Sequence, residues 1–199
     1  NMNKIAPLSY NTDSITRKEY NKMELKGSKT EANLMAAFAG ESRARNKYTF
    51  YAAKAEKDGY KTIGDIFTET AENEREHREI WLKIILGGDI PHTLDNLKSA
   101  AAGELNEAEN MYPNMAKTAK EEGFERIAKL FEAVGRIEKQ HQQRYSEYAD
   151  LLEKGEYYQR TVKTLWICTS CGHLYEGEKA PIICPVCGHN QGYYRVNTK

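Results

Sequence analysis

Three things are scarce in this sequence: net charge, long apolar runs and, over most of its length, cysteine. Lys plus Arg and Asp plus Glu are equal at 29 each, so bulk charge favours neither nucleic acid nor an anionic membrane as a partner. A membrane span needs about 18 consecutive apolar residues, and no run in this sequence approaches that length. The N-terminal stretch lacks the hydrophobic core of a signal peptide. We therefore expect a cytoplasmic protein without a membrane segment.

Cysteine occurs only near the C-terminus, where all four cysteines form two Cys-x-x-Cys pairs, Cys168 with Cys171 and Cys184 with Cys187. None is left over for a disulfide framework. In a cytosolic chain this clustering favours metal ligation over cystine, and a thioredoxin-type redox site would need only one pair. Four thiolates in a tetrahedral array select zinc or a single iron, and the spacing alone leaves that choice open.

Composition and periodicity divide the 199 residues into four segments. Residues 1–26 are polar without a sustained period, which predicts an N-terminal extension. Residues 27–153 carry four helical apolar stripes with short or moderate connections, which predicts an antiparallel four-helix bundle. Residues 154–164 are interpreted as a linker. Residues 165–199 are short and rich in Gly, Pro and Cys, so we expect a small domain in which a metal replaces the missing core.

Local signals place the helix ends within the predicted bundle. The segment 28–31 has the form of a capping box and begins the first helix, and Thr62 is the predicted cap of the second. Gly123 separates the third helix from the fourth. Pro113 is expected to kink the third helix rather than end it, because periodic apolar residues continue beyond it.

The strongest signal is a pattern of carboxylates and histidines that occurs twice. A Glu is followed, 33 or 34 residues later, by Glu-x-x-His: Glu41 with Glu74 and His77, and Glu104 with Glu138 and His141. Residues three apart project from one side of a helix, so each Glu-x-x-His can direct an oxygen and a nitrogen toward one pocket. One copy alone usually lies on a solvated face. Two copies on predicted inner faces are the ligand set of a di-iron or di-manganese carboxylate bundle.

With these motifs the sequence resembles the rubrerythrin family over roughly residues 25–197. The resemblance is carried by residues 38–46, 74–77, 101–107, 111–113 and 138–141 and by the four cysteines. It implies a mainly α protein, in which a ferritin-like di-iron bundle precedes a small rubredoxin-like β domain. The implied activity is that of a non-haem di-iron peroxidase, which reduces hydrogen peroxide to water in oxidative-stress defence.

The same resemblance implies roles for the repeated residues at an oxo- and carboxylate-bridged pair of irons. Glu74 and Glu138 would bridge the two irons. Glu41 and Glu104 would be terminal ligands, one to each iron, and His141 would complete one of them.

Glu107 is an additional carboxylate, three residues past Glu104 and outside the repeat. The resemblance implies that one iron exchanges Glu107 for His77 when the pair is reduced. Tyr48 and Tyr112 match tyrosines that hydrogen-bond near the carboxylates, and a place among ordinary core aromatics is the alternative.

For the cysteine site, Trp166, residues 175–177 and residues 180–181 resemble rubredoxin and favour one iron held by four cysteines. A di-iron partner needs an electron source, which zinc cannot supply. A structural zinc ribbon is the alternative.

The resemblance also implies partners and leaves two other function classes open. It implies an electron donor, either a separate NAD(P)H-linked reductase or a rubredoxin, and a homodimer with cross-subunit electron transfer. One alternative is a ferritin-like protein that oxidises or binds iron and carries a structural zinc ribbon. The other is a metal-stabilised interaction module without turnover.

Overall fold

The computed structural model describes residues 25–198, so nearly all of the predicted extension 1–26 lies outside the described residues. The described part is mainly helical, as predicted, and has one small antiparallel sheet near the C-terminus. The chain divides between Pro91 and His92 into two compact units. None of the described helices is long and apolar enough to cross a membrane.

The first unit is a helical hairpin of α1 (Lys29–Lys57) and α2 (Lys61–Ile85). The predicted capping box is confirmed at Ser28, whose hydroxyl accepts a hydrogen bond from the Glu31 N–H at 3.1 Å. The return bond differs from the usual one, because the Glu31 carboxylate accepts from the Gly27 N–H at 2.6 Å. Two donors at the start of α1 are thus satisfied.

The prediction that Thr62 caps α2 is wrong by two residues. Tyr60 occupies the cap position, and its side chain makes no capping hydrogen bond. Gly59 has φ +89°, a conformation that favours glycine, and the Tyr60 N–H donates to the Ala55 carbonyl at 2.8 Å. Because this turn is so tight, α2 begins at Lys61 and Thr62 already lies inside it.

The second unit begins with α3 (Thr93–Asn106), a π-helical turn (Glu107–Met111, here the π turn) and α4 (Tyr112–Glu121). These three run on without a break, so the prediction that the helix continues past Pro113 is confirmed. Pro113 has no N–H to donate to the preceding turn. The residue before it, Tyr112, donates its N–H to the Glu107 carbonyl five residues back, which is the hydrogen bond of a π turn. After a three-residue connection the long helix α5 (Glu125–Glu153) follows.

From Tyr48 and Tyr112 onward, the two hairpins repeat each other at an offset of 64 residues. Both connections have three residues with glycine in the middle, Gly59 at φ +89° and Gly123 at φ +84°. Small residues are buried at equivalent positions: Ala52 and Ala116, Ala55 and Ala119, Gly64 and Ala128, Ala71 and Gly135. Small side chains at these positions let the helices of each hairpin approach closely.

A three-stranded sheet follows the helices, with β1 (Gln159–Cys168) between β2 (Leu174–Lys179) and β3 (Tyr194–Val196). Both pairings are antiparallel. The strand β1 begins inside the segment 154–164 that we interpret as a linker. The boundaries of the four segments stay a prediction. The core beneath the sheet is small: Trp166, Cys168, Ala180, Cys184 and Tyr194.

Replacing Gly135 by valine is expected to destabilise the second unit. A Cβ at Gly135 would lie 3.1 Å from the Cβ of Tyr112, so a larger side chain pushes α5 away from the start of α4. Overpacking of this kind costs about 1–3 kcal/mol. Thermal unfolding of the full chain measures the effect, with Gln140→Val on an exposed position of α5 as the matched control. Equal melting temperatures for the two variants would contradict the close packing.

Candidate metal centres

The first hairpin brings Glu41 on α1 together with Glu74 and His77 on α2. One ligand atom from each residue lies within 4.8 Å of the other two. The Nδ1 atom of His77 is 2.8 Å from Oε2 of Glu74. The Glu74 side chain is only 16% exposed, whereas that of His77 is 53% exposed. The first half of the repeated pattern therefore folds into one cluster, here the first triad.

The second unit forms an equivalent cluster, here the second triad, from Glu104 on α3 with Glu138 and His141 on α5. The Nδ1 atom of His141 is 2.7 Å from Oε2 of Glu138 and 3.7 Å from Oε2 of Glu104. The carboxylates of Glu104 and Glu138 are 22% and 14% exposed. The carboxylates of both triads are half-buried, whereas His77 is exposed. Their role as metal ligands stays a prediction.

Each triad places two carboxyl groups against each other away from bulk water. Burial raises the pKa of Glu41, and a hydrogen bond to Glu74 and the charge of Glu74 raise it further, against the opposing effect of His77. Burial also raises the pKa of Glu104, followed by the charge of Glu138 and a hydrogen bond to it. The physical cause is the same in both triads: two facing carboxylates need a proton or a cation between them.

The donor atoms of the triads suit a hard or borderline metal ion. Oxygen and imidazole nitrogen are ligands that iron and manganese accept. Bonds of about 2.1 Å place two ligand atoms on one ion at most about 4.2 Å apart. The separations within each triad, all within 4.8 Å, are close to that limit, so small side-chain adjustments suffice to bind an ion.

Glu107 is half-buried and lies near the second triad without being one of its three members. Its charge contributes to the raised pKa of Glu104. The pKa of Tyr112 is raised as well, first by burial and then by the charges of Glu107, Glu138 and Glu104. Glu107 and Tyr112 therefore lie within electrostatic reach of the second triad.

Tyr48 occupies the position of Tyr112 in the first hairpin, 64 residues earlier. Its ring packs against the rings of Tyr51 and Phe67, with centroids 6.2 and 6.0 Å away. This is the packing of a core aromatic. The hydrogen-bonding role that the family resemblance implies for Tyr48 stays a prediction.

The four cysteines converge on one point, with all four sulfurs within 4.8 Å of one another. Two pairs, each joining one sulfur from either knuckle, are 3.7 Å apart: Cys168 with Cys187, and Cys171 with Cys184. A tetrahedral ion with metal–sulfur bonds of about 2.3 Å requires sulfurs about 3.8 Å apart, whereas a disulfide requires about 2.05 Å. The arrangement fits a tetrathiolate metal ion and excludes disulfides within these two pairs.

The two knuckles have the same backbone structure. Gly172 and Gly188 have φ +79° and +74°, and their N–H groups donate to the carbonyls of Cys168 and Cys184 at 2.8 and 2.9 Å. These two glycine N–H groups donate to carbonyl oxygens rather than to the sulfurs. The glycines instead supply the positive φ that closes each knuckle.

Other groups near the sulfurs shift the pKa values of two of the thiols. The His173 N–H lowers the pKa of Cys171, but burial and the three neighbouring thiols together raise it to about 12. Burial opposes ionisation of Cys184, yet the Tyr194 hydroxyl and the N–H groups of Cys187 and Val186 lower its pKa to about 5. Cys184 is therefore the sulfur that carries negative charge most readily of these two.

Two features of these sites were missed by the sequence reasoning. The π turn had a signal, because the interval between the repeated glutamates lengthens from 33 to 34 residues and Pro113 follows. Tyr194 had none, since it lies seven residues past the last cysteine and no metal-ligand spacing includes it.

Comparisons with known proteins agree over both parts of the chain. A sequence model of the rubrerythrin family matches residues 32–149, and a model of the rubrerythrin rubredoxin-like domain matches residues 166–195. The first match spans both hairpins and both triads. The second spans all four cysteines.

Individual relatives cover nearly the whole chain. The rubrerythrin of Porphyromonas gingivalis is 42% identical over 192 residues, which cover 91% of this chain and 96% of the relative. The rubrerythrin of Nitratidesulfovibrio vulgaris is 42% identical over 183 residues, which cover 86% and 96%. A solved structure of partially reduced nigerythrin matches with a TM-score of 0.33 and 26% identity, covering 87% of this chain and 91% of that one. From the matched domains and the identity to the two rubrerythrins, the chain belongs to the rubrerythrin family.

Proposed function

We propose that this protein is a peroxidase that reduces hydrogen peroxide to two molecules of water, using two electrons and two protons. Members of the rubrerythrin family are oxidoreductases with a di-iron carboxylate site and a rubredoxin-like four-cysteine site. The observation that carries the proposal is the presence of two unlike donor sets in one chain: paired Glu/Glu/His triads and a tetrahedral cluster of thiols. The first suits substrate chemistry and the second suits one-electron transfer.

The triads would hold the iron pair, with Glu74 and Glu138 as the bridging carboxylates. Glu41 and Glu104 would each complete one iron as terminal ligands, and His141 would bind one of the two. An iron pair of this kind supplies the two electrons that cleave the O–O bond. The carboxylates, which are half-buried, would offset the charge of the ions.

Glu107 and His77 would exchange as ligands to one iron when its charge changes. Two properties support this role. The charge of Glu107 raises the pKa of Glu104, and the His77 side chain is 53% exposed, compared with 37% for His141. An exchange between an anionic and a neutral ligand keeps the charge of the site closer to constant through the reaction. Tyr112, beside the same carboxylates, would donate a hydrogen bond to them or to peroxide.

Electrons would enter at an iron held by the four cysteines and would come from a separate NAD(P)H-linked reductase or a rubredoxin. We further propose a homodimer in which the cysteine site of one subunit serves the iron pair of the other. The matching triads and the separate four-cysteine cluster support a division of labour between substrate reduction and electron supply.

Peroxide reduction is tested directly by reducing the protein without oxygen and mixing it with peroxide. We expect about three irons per chain by elemental analysis, bleaching of the visible bands on reduction, and their return on adding peroxide at a rate fast enough for turnover. Bands that return only slowly would exclude the peroxidase. A colourless zinc-only cysteine site in a large iron-filled shell would favour the ferritin-like alternative.

Glu107→Ala is expected to leave the protein folded and metal-bound but to slow peroxide turnover by about 10- to 100-fold, as for other residues that tune a metal site. Glu109→Ala is the matched control, because Glu109 lies in the same π turn but is 56% exposed and ion-paired with Lys139 at 2.9 Å. Steady-state turnover and iron content are measured for both. Equal rates for the two variants would remove Glu107 from the reaction.

Cross-subunit transfer is tested with two inactive variants. Cys171→Ala is expected to allow one peroxide reduction by the pre-reduced protein but no sustained turnover, and Glu138→Ala is expected to lose the iron pair. The two variants are co-expressed with different affinity tags, and the mixed dimer is isolated. In it, the Cys171→Ala chain has the only intact iron-pair site and the Glu138→Ala chain has the only intact cysteine site. We expect turnover near half that of the unmodified dimer. An inactive mixed dimer with its cysteine iron bound would show that each chain supplies only itself.

A further inference from the structure

Tyr194 is one of the most deeply buried large side chains among the described residues, at 2% exposed. It is the first residue of β3, and the strand register pairs it with Cys168 on β1. Its ring belongs to the small core that also contains Trp166 and Cys184. The sheet therefore fixes a tyrosine against the cysteine cluster.

The hydroxyl of this tyrosine is buried and has no hydrogen-bond partner among the described residues. A buried hydroxyl without a partner is costly, and buried polar atoms in folded proteins nearly always find one. Burial raises the pKa of Tyr194, and the sulfur of Cys184, which belongs to the same core, raises it further, ahead of the sulfurs of Cys168 and Cys171. Cys184 is therefore the acceptor to which this hydroxyl is best assigned. A thiolate that binds a metal ion is a good acceptor for such a donor.

Cys184 already has backbone donors nearby. The N–H groups of Val186 and Cys187, both within its own knuckle, lower its pKa. The knuckle backbone supplies these two donors, whatever the side chains. The Tyr194 hydroxyl adds a third donor, which depends on the identity of one side chain.

We propose that the Tyr194 hydroxyl donates a hydrogen bond to the Cys184 thiolate of the iron-loaded site. This bond raises the reduction potential of the iron held by the four cysteines. Reduction of ferric to ferrous iron adds one electron and increases the negative charge shared by the four sulfurs. A donor to sulfur therefore stabilises the ferrous form more than the ferric form. Tyr194 is a positioning and tuning residue, since it acts through Cys184.

Tyr194→Phe tests this inference because it removes one oxygen atom and keeps the ring in the core. The potential of the cysteine-held iron is measured on the full iron-loaded chain by redox titration of its visible bands, without peroxide. At a fixed applied potential we expect the ferrous-to-ferric ratio to fall about tenfold, which for one electron corresponds to about 59 mV.

Tyr193→Phe is the matched control. Tyr193 is the neighbouring residue, is 42% exposed and packs its ring against His189 with centroids 4.3 Å apart. We expect its ferrous-to-ferric ratio to stay within about twofold of the unmodified protein, since an exposed hydroxyl already bonds to water. An unchanged ratio in Tyr194→Phe, or the same fall in both variants, would overturn the proposal.

A second measurement covers the case in which Tyr194→Phe does not load iron. Replacing Tyr194 by 3-fluorotyrosine keeps the hydroxyl and makes it a stronger donor, so the ferrous-to-ferric ratio should rise at a pH where the phenol stays protonated. A fall or no change would contradict the proposal. Both measurements need iron in the cysteine site but not peroxide reduction, so they can succeed even if the proposed peroxidase activity fails.

Discussion

Repulsion between facing carboxylates is the constraint on which both helical hairpins depend. Glu41 faces Glu74 in the first hairpin, and Glu104 faces Glu138 in the second, each pair half-buried with a histidine beside it. Helix packing through small residues forces these charges together, at a cost that the packing must offset. Either a proton or a bound cation between the two carboxylates lowers this electrostatic cost. The close packing that defines the hairpins therefore also creates their affinity for metal ions.

The C-terminal sheet is limited by a different constraint. Its core buries too little apolar surface to stabilise the fold alone. Two of its five core residues, Cys168 and Cys184, are also predicted metal ligands. A ligand that is part of the core makes the free energy of metal binding part of the free energy of folding. The remaining core aromatics, Trp166 and Tyr194, then serve as packing and as the immediate surroundings of the sulfurs. In so small a domain, the stability of the fold and the reduction potential of the site depend on the same side chains.

The sequence predicted what depends on local periodicity and on ligand spacing. Helix types, the Ser28 cap, the continuation past Pro113 and the grouping of each Glu-x-x-His with its partner glutamate follow from such local rules. The start of α2 was misjudged because a tight glycine turn, rather than a side-chain cap, decides it. Tyr194 was missed because its position depends on strand pairing with a residue 26 positions earlier, which no local pattern encodes.

The spacing between equivalent positions of the two hairpins changes by one residue, and the π turn accounts for this change. Tyr48 and Tyr112, and every later equivalent pair, are 64 residues apart, whereas Glu41 and Glu104 are 63 apart. The extra residue must therefore lie between Glu104 and Tyr112, where the π turn holds one more residue than an α-helical turn. Glu107 begins that turn. The same insertion that keeps Glu104 and Glu138 in register thus adds a carboxylate to the second triad that has no counterpart in the first.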